Sequence, residues 1–134
     1  MKHATPADIP RCVEMGERFF RDSGQSGGFI ADHFADTLAS LIEQDRAALI
    51  VSDRGMIGGV LVPSFCNRDW LIAVELFWWA EDGQGLRLLR AFEDWAVPHE
   101  IRITTQDANT RPDKALLRKG YARMETSFKR TPCH

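Results

Sequence analysis

The sequence has few cysteines and histidines, and neither residue type is arranged to hold a metal ion. The 134 residues include three cysteines and four histidines, and the residues of each type lie far apart in the chain. No histidine pair has the spacing that places two metal ligands on one helix face. An odd, scattered set of cysteines also argues against a disulfide framework. We therefore expect free thiols in a reducing compartment, and no metal cofactor.

The sequence also lacks a long apolar run and an excess of one charge. Its longest apolar run, from Leu71 to Ala80, contains Glu75 and is about half as long as a bilayer crossing requires. Its first residues do not form an apolar leader. With 17 Lys+Arg against 19 Asp+Glu, there is no concentrated basic charge for nucleic acid or an anionic membrane. These absences predict a cytoplasmic protein that binds neither.

What remains is ordinary globular composition. Hydrophobic residues make up 44% of the chain and charged residues 27%, which argues against intrinsic disorder. The length fits one domain over residues 1–134. A chain of this size buries enough surface to form a core without disulfide bonds or structural metal ions.

Hydrophobic periodicity and turn residues predict alternating helices and strands. The strand at 70–79 is apolar on both faces, so we expect it to be central and covered on both sides. The order predicts an α/β protein with a mixed, mostly antiparallel sheet of about six strands and helices on both faces. The predicted strands are 2–4, 47–52, 56–65, 70–79, 101–105 and 121–129, with a polar turn at 67–69, and the predicted helices are 5–20, 31–44, 85–97 and 111–119.

A glycine-containing turn follows the apolar strand and leads directly into a helix. Gly83, Gln84 and Gly85 form this turn. Glycines let a backbone approach a ligand closely, and the free N–H groups of a first helical turn attract anions such as a diphosphate. Taken alone, the same pattern is also that of a plain tight turn.

This stretch resembles the acyl-CoA-binding motif of the GNAT superfamily of N-acetyltransferases, which is Gln/Arg-x-x-Gly-x-Gly/Ala. With Gly85 as the last glycine, the apolar residues of the following helix fall on the family's usual positions. A second match is Asn109 with Gly120 and Tyr121 further along the chain. The segment 4–10 resembles the family's first strand and the start of its first helix. The resemblance thus covers nearly the whole chain.

The resemblance implies a GNAT-like three-layer fold and an N-acetyltransferase. Such an enzyme transfers an acetyl group from acetyl-CoA, its co-substrate, to a primary amine by direct attack. The acceptor would be a small molecule or a peptide, and the sequence does not identify it. Many proteins of this class form homodimers, but nothing in the sequence fixes the oligomeric state.

The resemblance also implies where acetyl-CoA lies. An N–H group of the strand near 77–79 would stabilise the oxyanion, and the pantetheine would pair with this strand where it diverges from 101–105. Trp78 and Trp79 point to opposite faces, so one belongs to the core and the other lines a pocket. Asn109 either binds the donor or caps the next helix. The implied cofactor-binding residues are Phe77, Trp78, Trp79, Gly83, Gln84, Gly85, Leu86, Arg87 and Asn109.

Glu75 is the candidate general base. It is the only charge in its apolar strand, where desolvation would raise its pKa toward a useful value. Family members often carry a glutamate base on this strand. Alternatively, Glu75 is structural and reaches solvent or pairs with an arginine. Asp107 is a weaker candidate for the base.

Two departures from the family pattern favour other interpretations. Ala80 stands where the motif has Gln or Arg, and the segment between strand and glycines is shorter than usual. Leu116 stands where the family often has a general-acid tyrosine, so the acid is unassigned. A second interpretation is therefore a GNAT-like domain that has lost catalysis and acts as a binding or interaction module. An unrelated nucleotide-binding protein is disfavoured, because a P-loop lysine and a complete dinucleotide fingerprint are both lacking.

Overall fold

The computed structural model describes residues 1–106 and 110–132. These residues fall into two compact units, Met1–Thr104 and Thr105–His134. The strands are β1 (Lys2–His3), β2 (Ala47–Ser52), β3 (Gly55–Ser64), β4 (Asn67–Ala80) and β5 (Glu100–Arg102), and the helices are α1 (Ile9–Ser23), α2 (Ala31–Glu43), α3 (Gly85–Ala96) and α4 (Arg111–Arg118), with a 3₁₀ turn at Pro6–Asp8 before α1.

The described strands form one mixed sheet in the order β1-β2-β3-β4-β5. Neighbours are antiparallel except β4 and β5, which are parallel. The predicted α/β class with a mostly antiparallel sheet is therefore confirmed, although the described sheet has five strands instead of six. β4 is an interior strand, but only its residues 72–74 are flanked on both sides.

Helices cover both faces of this sheet. Leu49 and Val51 of β2 pack in the core cluster that includes residues of α1 and α2. Ala48 and Ile50 are equally buried and point to the opposite face, because successive strand residues alternate. That face is covered by α3, whose Phe92 ring packs directly over β3. The sheet thus holds α3 on one side and α1 with α2 on the other.

The hairpin between β3 and β4 turns earlier than the sequence predicts. Ser64 pairs with Asn67, which places the turn at Phe65 and Cys66. The prediction of a polar turn at 67–69 is wrong, because those residues begin β4. They are polar because the hairpin extends beyond β2 and exposes both strands to water.

The C-terminal unit contains α4 and the segment that follows it. The helix ends before Gly120, whose φ of 95° favours glycine, and the Tyr121 N–H donates to the Leu116 carbonyl at 3.1 Å. The predicted strand at 121–129 is wrong, since residues 121–132 form neither helix nor strand. Most of this stretch is exposed, so it lacks the half-buried surface that stabilises a strand.

Candidate active site

The candidate site begins where β4 and β5 part. Their parallel pairing ends at Val74 and Arg102, yet β4 continues to Ala80. Within residues 1–104, the β5-facing edge of β4 from residue 75 to 80 therefore has no strand partner. Backbone N–H and C=O groups left in this way can pair with an extended ligand.

A bulge lies at the same point of β4. Gly58 of β3 pairs with Phe77 and Gly59 pairs with Glu75, so Leu76 is an extra residue on β4. A Cβ on Gly58 would lie 2.5 Å from the Phe77 ring, and one on Gly59 would lie 2.6 Å from the Val74 carbonyl oxygen. Both glycines are thus required by close packing. A bulge redirects the local backbone groups, as often happens next to active sites.

Glu75 lies at the first β4 position after the pairing with β5 ends. Its side chain is buried, with 7% of the residue exposed. The Thr104 N–H donates to Glu75 Oε1 at 3.0 Å, so a side-chain oxygen takes the place of a strand carbonyl. Burial raises the pKa of Glu75 to about 7, and the Thr104 hydrogen bond opposes this only in part. Glu75 is thus shielded from solvent, and it forms no ion pair with an arginine among the described residues.

The three aromatic residues of β4 divide between the two faces of the sheet. The Phe77 ring lies in the core, 5.6 Å from that of Phe34, and Trp79 packs against Phe19 at 6.0 Å on the same face. Trp78 points to the other face, where its Nε1 donates to the Gly85 carbonyl at 3.0 Å. Only the backbone of Phe77 is therefore available to a ligand, and Trp78 is the tryptophan beside the start of α3.

Two carboxylates fix the connection between β4 and α3. Glu81 accepts hydrogen bonds from the guanidinium groups of Arg18 on α1 and Arg54 in the β2–β3 turn, and from Trp79 Nε1. The Arg18 hydrogen bonds, with those of Trp79 and Arg54, lower the pKa of Glu81 to about 2. Glu81 therefore ties this connection to α1 and to the β2–β3 turn.

The second carboxylate, Asp82, contacts the start of α3. Its Oδ1 accepts from the Gln84 N–H at 3.1 Å, and its Oδ2 accepts from Ser52 Oγ at 2.7 Å and from the Arg54 N–H at 2.9 Å. Burial raises the pKa of Asp82, but these three hydrogen bonds outweigh it and leave the pKa below its usual value. Part of the anion-binding capacity at this helix start is thus used by the chain's own carboxylate.

The first turn of α3 has further N–H groups that the helix itself does not use. The Leu88 N–H bonds to the Gln84 carbonyl at 2.9 Å, whereas residues 85–87 precede the helical repeat and have no intrahelical acceptor. Gly83 has a φ of 72°, a conformation that favours glycine. A Cβ on Gly85 would meet Ala80 at an ordinary 3.6 Å, so packing alone does not require glycine there.

A cleft of about 650 Å³ lies beside this first turn. It is lined by three cationic side chains and three carboxylates, so the lining side chains sum to no net charge. Asp8 in its wall already pairs with Lys2 at 2.9 Å and Arg11 at 3.2 Å. The charged lining residues are Lys2, Asp8, Arg11, Asp53, Asp82 and Arg87.

Asn109 and Asp107 fall outside the described residues. Leu116 is buried in the C-terminal unit, with 7% exposed.

Among the described residues, no group of three or more His, Cys, Asp or Glu side chains could hold a metal ion. No helix in that part of the chain combines the length and apolarity needed to cross a bilayer.

Solved structures resemble this chain over almost its full length. A predicted acetyltransferase from Clostridium acetobutylicum, solved with acetyl-CoA, matches with a TM-score of 0.73 at 13% identity, over 97% of this chain and 94% of that one. The chain has the GNAT fold. AAC(6')-Iy, solved with the bisubstrate analogue CoA-S-monomethyl-acetylneamine, matches with a TM-score of 0.72 at 15% identity, over 98% of this chain and 97% of that one.

The GNAT fold is shared with a protein that is not named as an enzyme. A transcriptional regulator from Bacillus halodurans C-125 matches with a TM-score of 0.73 at 16% identity, over 97% of each chain. No protein-family profile and no curated protein matches the sequence. At such identities the likeness establishes the fold and not the activity.

Proposed function

We propose that the chain is an acyl-CoA-dependent N-acyltransferase that transfers an acetyl group from acetyl-CoA to a primary amine of a small molecule or peptide. The observation that carries this proposal is the parting of β4 from β5 at a buried glutamate, with a β4 bulge and the free N–H groups of α3 beside it. We also propose that the enzyme is cytoplasmic. Its acetyl-CoA donor and the free thiols of Cys12 and Cys66 both suit that compartment.

The open edge of β4 is the part of the site that suits the donor's pantetheine arm. The arm carries amide groups, and the backbone of residues 77–79 offers the complementary donors and acceptors. The first turn of α3 would receive the diphosphate through the N–H groups of Gly85, Leu86 and Arg87 and through the Arg87 side chain. Gly83, Gln84 and Asn109 complete the proposed set.

The acyl transfer follows from these positions. The amine nitrogen attacks the thioester carbonyl carbon, a C–N bond forms, and the C–S bond breaks to release the thiol. An N–H group of β4 near residues 77–79 stabilises the oxyanion of the tetrahedral intermediate. The proton lost by the amine passes to Glu75, whose Oε1 is held by Thr104 while its other oxygen can accept the proton. A general acid is dispensable here, since a thiol with a pKa of about 8.5 can leave as a thiolate.

Titration calorimetry with acetyl-CoA tests the donor assignment. Saturable heat is expected, and neither heat nor a thermal shift at millimolar acetyl-CoA would overturn it. A panel of primary amines, followed by the release of free thiol, then identifies the acceptor class.

The proposed base is tested in the same thiol-release assay. Glu75→Gln should lower kcat about 100-fold or more with little change in acetyl-CoA affinity, because the amide keeps the acceptor for Thr104 but cannot take a proton. Glu43→Gln, an exposed change on α2, serves as the matched control. A pH–rate profile of Glu75→Gln that is unchanged from the wild type removes Glu75 from this role.

A catalytically inactive binding module is the second candidate function. The observation that favours it is the Asp82 carboxylate at the start of α3, which takes the Gln84 N–H. If this candidate is correct, every amine of the panel gives no thiol release, and sedimentation or pull-down measurements reveal a protein partner or self-association instead.

A further inference from the structure

Asp82 lies just before the start of α3, and its carboxylate takes one of the N–H groups that an anionic ligand could use there. One carboxylate oxygen accepts from the Gln84 N–H, and the other accepts from Ser52 Oγ and the Arg54 N–H. All three donors are held at 2.7–3.1 Å. The carboxylate is therefore an internal substitute for a bound anion.

Asp82 cannot easily move aside for a phosphate group. Its departure would leave the Ser52 hydroxyl and the Gln84 N–H without this acceptor, and both bonds are partly buried, where unpaired donors are costly. The residue before it is equally constrained, since Glu81 is held by Arg18, Arg54 and Trp79. These bonds therefore favour the present conformation of residues 81 and 82.

The surrounding charge does not offset Asp82. The side chains that line the cleft beside α3 balance, three cationic against three carboxylate, and Lys2 and Arg11 already pair with Asp8. Arg54 pairs with Glu81. A diphosphate placed against the first turn of α3 would meet a carboxylate of like charge, with Arg87 as the cation of that turn.

By contrast, the edge of β4 is independent of this carboxylate. Its backbone groups are left open because β5 ends its pairing at Arg102, and Glu75 holds the diverging chain at Thr104. A pantetheine arm could use this edge without contacting the start of α3.

We propose that the enzyme recognises its acyl donor mainly by the pantetheine thioester, and that Asp82 makes the nucleotide diphosphate a minor contributor. This inference rests on the proposed function. The donor class is then any acyl thioester of a pantetheine arm, with acetyl-CoA as one member. In each case the amine nitrogen bonds to the acyl carbon and the C–S bond breaks. The amine loses one proton to Glu75, and the pantetheine sulfur leaves as a thiolate that is protonated in turn.

The test compares kcat/KM for acetyl-CoA and S-acetylpantetheine with the same amine. The wild-type enzyme should prefer acetyl-CoA by no more than about tenfold. Asp82→Asn should raise this preference about tenfold through the KM for acetyl-CoA, since it removes one unit of like charge near the diphosphate. It should leave the S-acetylpantetheine kinetics unchanged. Glu43→Gln, an exposed change on α2 that does not line the cleft, should alter the kinetics with neither donor.

The outcomes separate the two proposals. A wild-type preference for acetyl-CoA clearly above about tenfold, or an unchanged preference in a folded Asp82→Asn protein, overturns the inference while leaving the proposed function intact. Transfer from neither donor overturns both. The wild-type ratio decides the matter even if Asp82→Asn fails to fold.

Discussion

The buried carboxyl of Glu75 makes stability depend on pH in a direction opposite to that of most acids. Its pKa rises from 4.5 to about 7 because burial disfavours the charged form. The folded chain therefore binds the proton more tightly than the unfolded chain. The resulting stability is fully present below pH 4.5 and is lost as the pH rises through about 7.

The size of this effect follows from the two pKa values. The gap between 4.5 and about 7 corresponds to about 3 kcal/mol once both states are ionised, at 1.36 kcal/mol for each pKa unit. Glu75→Gln mimics the protonated form and keeps an oxygen for the Thr104 N–H. It should therefore be more stable than the wild type by up to about 3 kcal/mol at pH 8, and by less than about 1 kcal/mol at pH 5.

Urea unfolding followed by tryptophan fluorescence at pH 5, 6, 7 and 8 measures this difference directly. The dependence on denaturant should be equal for both proteins, so that a shift in midpoint reports stability. Glu43→Gln on α2 should show no such pH-dependent gain, since Glu43 is exposed. A Glu75→Gln protein that is no more stable than the wild type at pH 8 would refute the reasoning.

Two further predictions concern the supports of the site. Glu81→Gln should lower the free energy of unfolding by about 1 kcal/mol at pH 7, since it weakens the hydrogen bonds from Arg18. This loss should vanish as the pH falls toward 2, because Glu81 of the wild type is then protonated as well. Urea midpoints measured against pH test this, and a loss that does not depend on pH would contradict the ion-pair argument. Gly59→Ala should lower the free energy of unfolding by about 1–3 kcal/mol, because its Cβ would lie 2.5 Å from the Phe92 ring. Gly85→Ala should not, because its Cβ would lie 3.6 Å from the nearest atom. Equal thermal midpoints for the two variants would refute this.

The sequence predicts the parts of the fold that depend on local pattern. The helix predicted at 31–44 is Ala31–Glu43, and the strand predicted at 47–52 is Ala47–Ser52. The junction of β4 with α3 also lies where the glycines indicate. In each case the burial of one face leaves a period in the sequence, and turn residues mark the ends.

What escapes the sequence depends on contacts between distant segments. The bulge at Leu76 and the end of the β4–β5 pairing are set by register, for which the only local sign is the pair Gly58 and Gly59. The hydrogen bonds of Asp82 to Ser52 and Arg54 join residues that are far apart in the chain, so the hydrophobic periodicity of the sequence does not predict them. The strand predicted at 121–129 fails for a related reason, since a strand requires pairing partners as well as an alternating pattern.

The four hydrogen bonds that meet at Glu81 act as a brace between α1, the β2–β3 turn and the end of β4. A braced connection does not swing open or shut, so a molecule that reaches the start of α3 meets a surface already in its final form. Association there should be limited by encounter and not by a slow closure step. An insertion that lengthened this connection would pull Glu81 away from Arg18, so gaining backbone amides there would mean losing the brace.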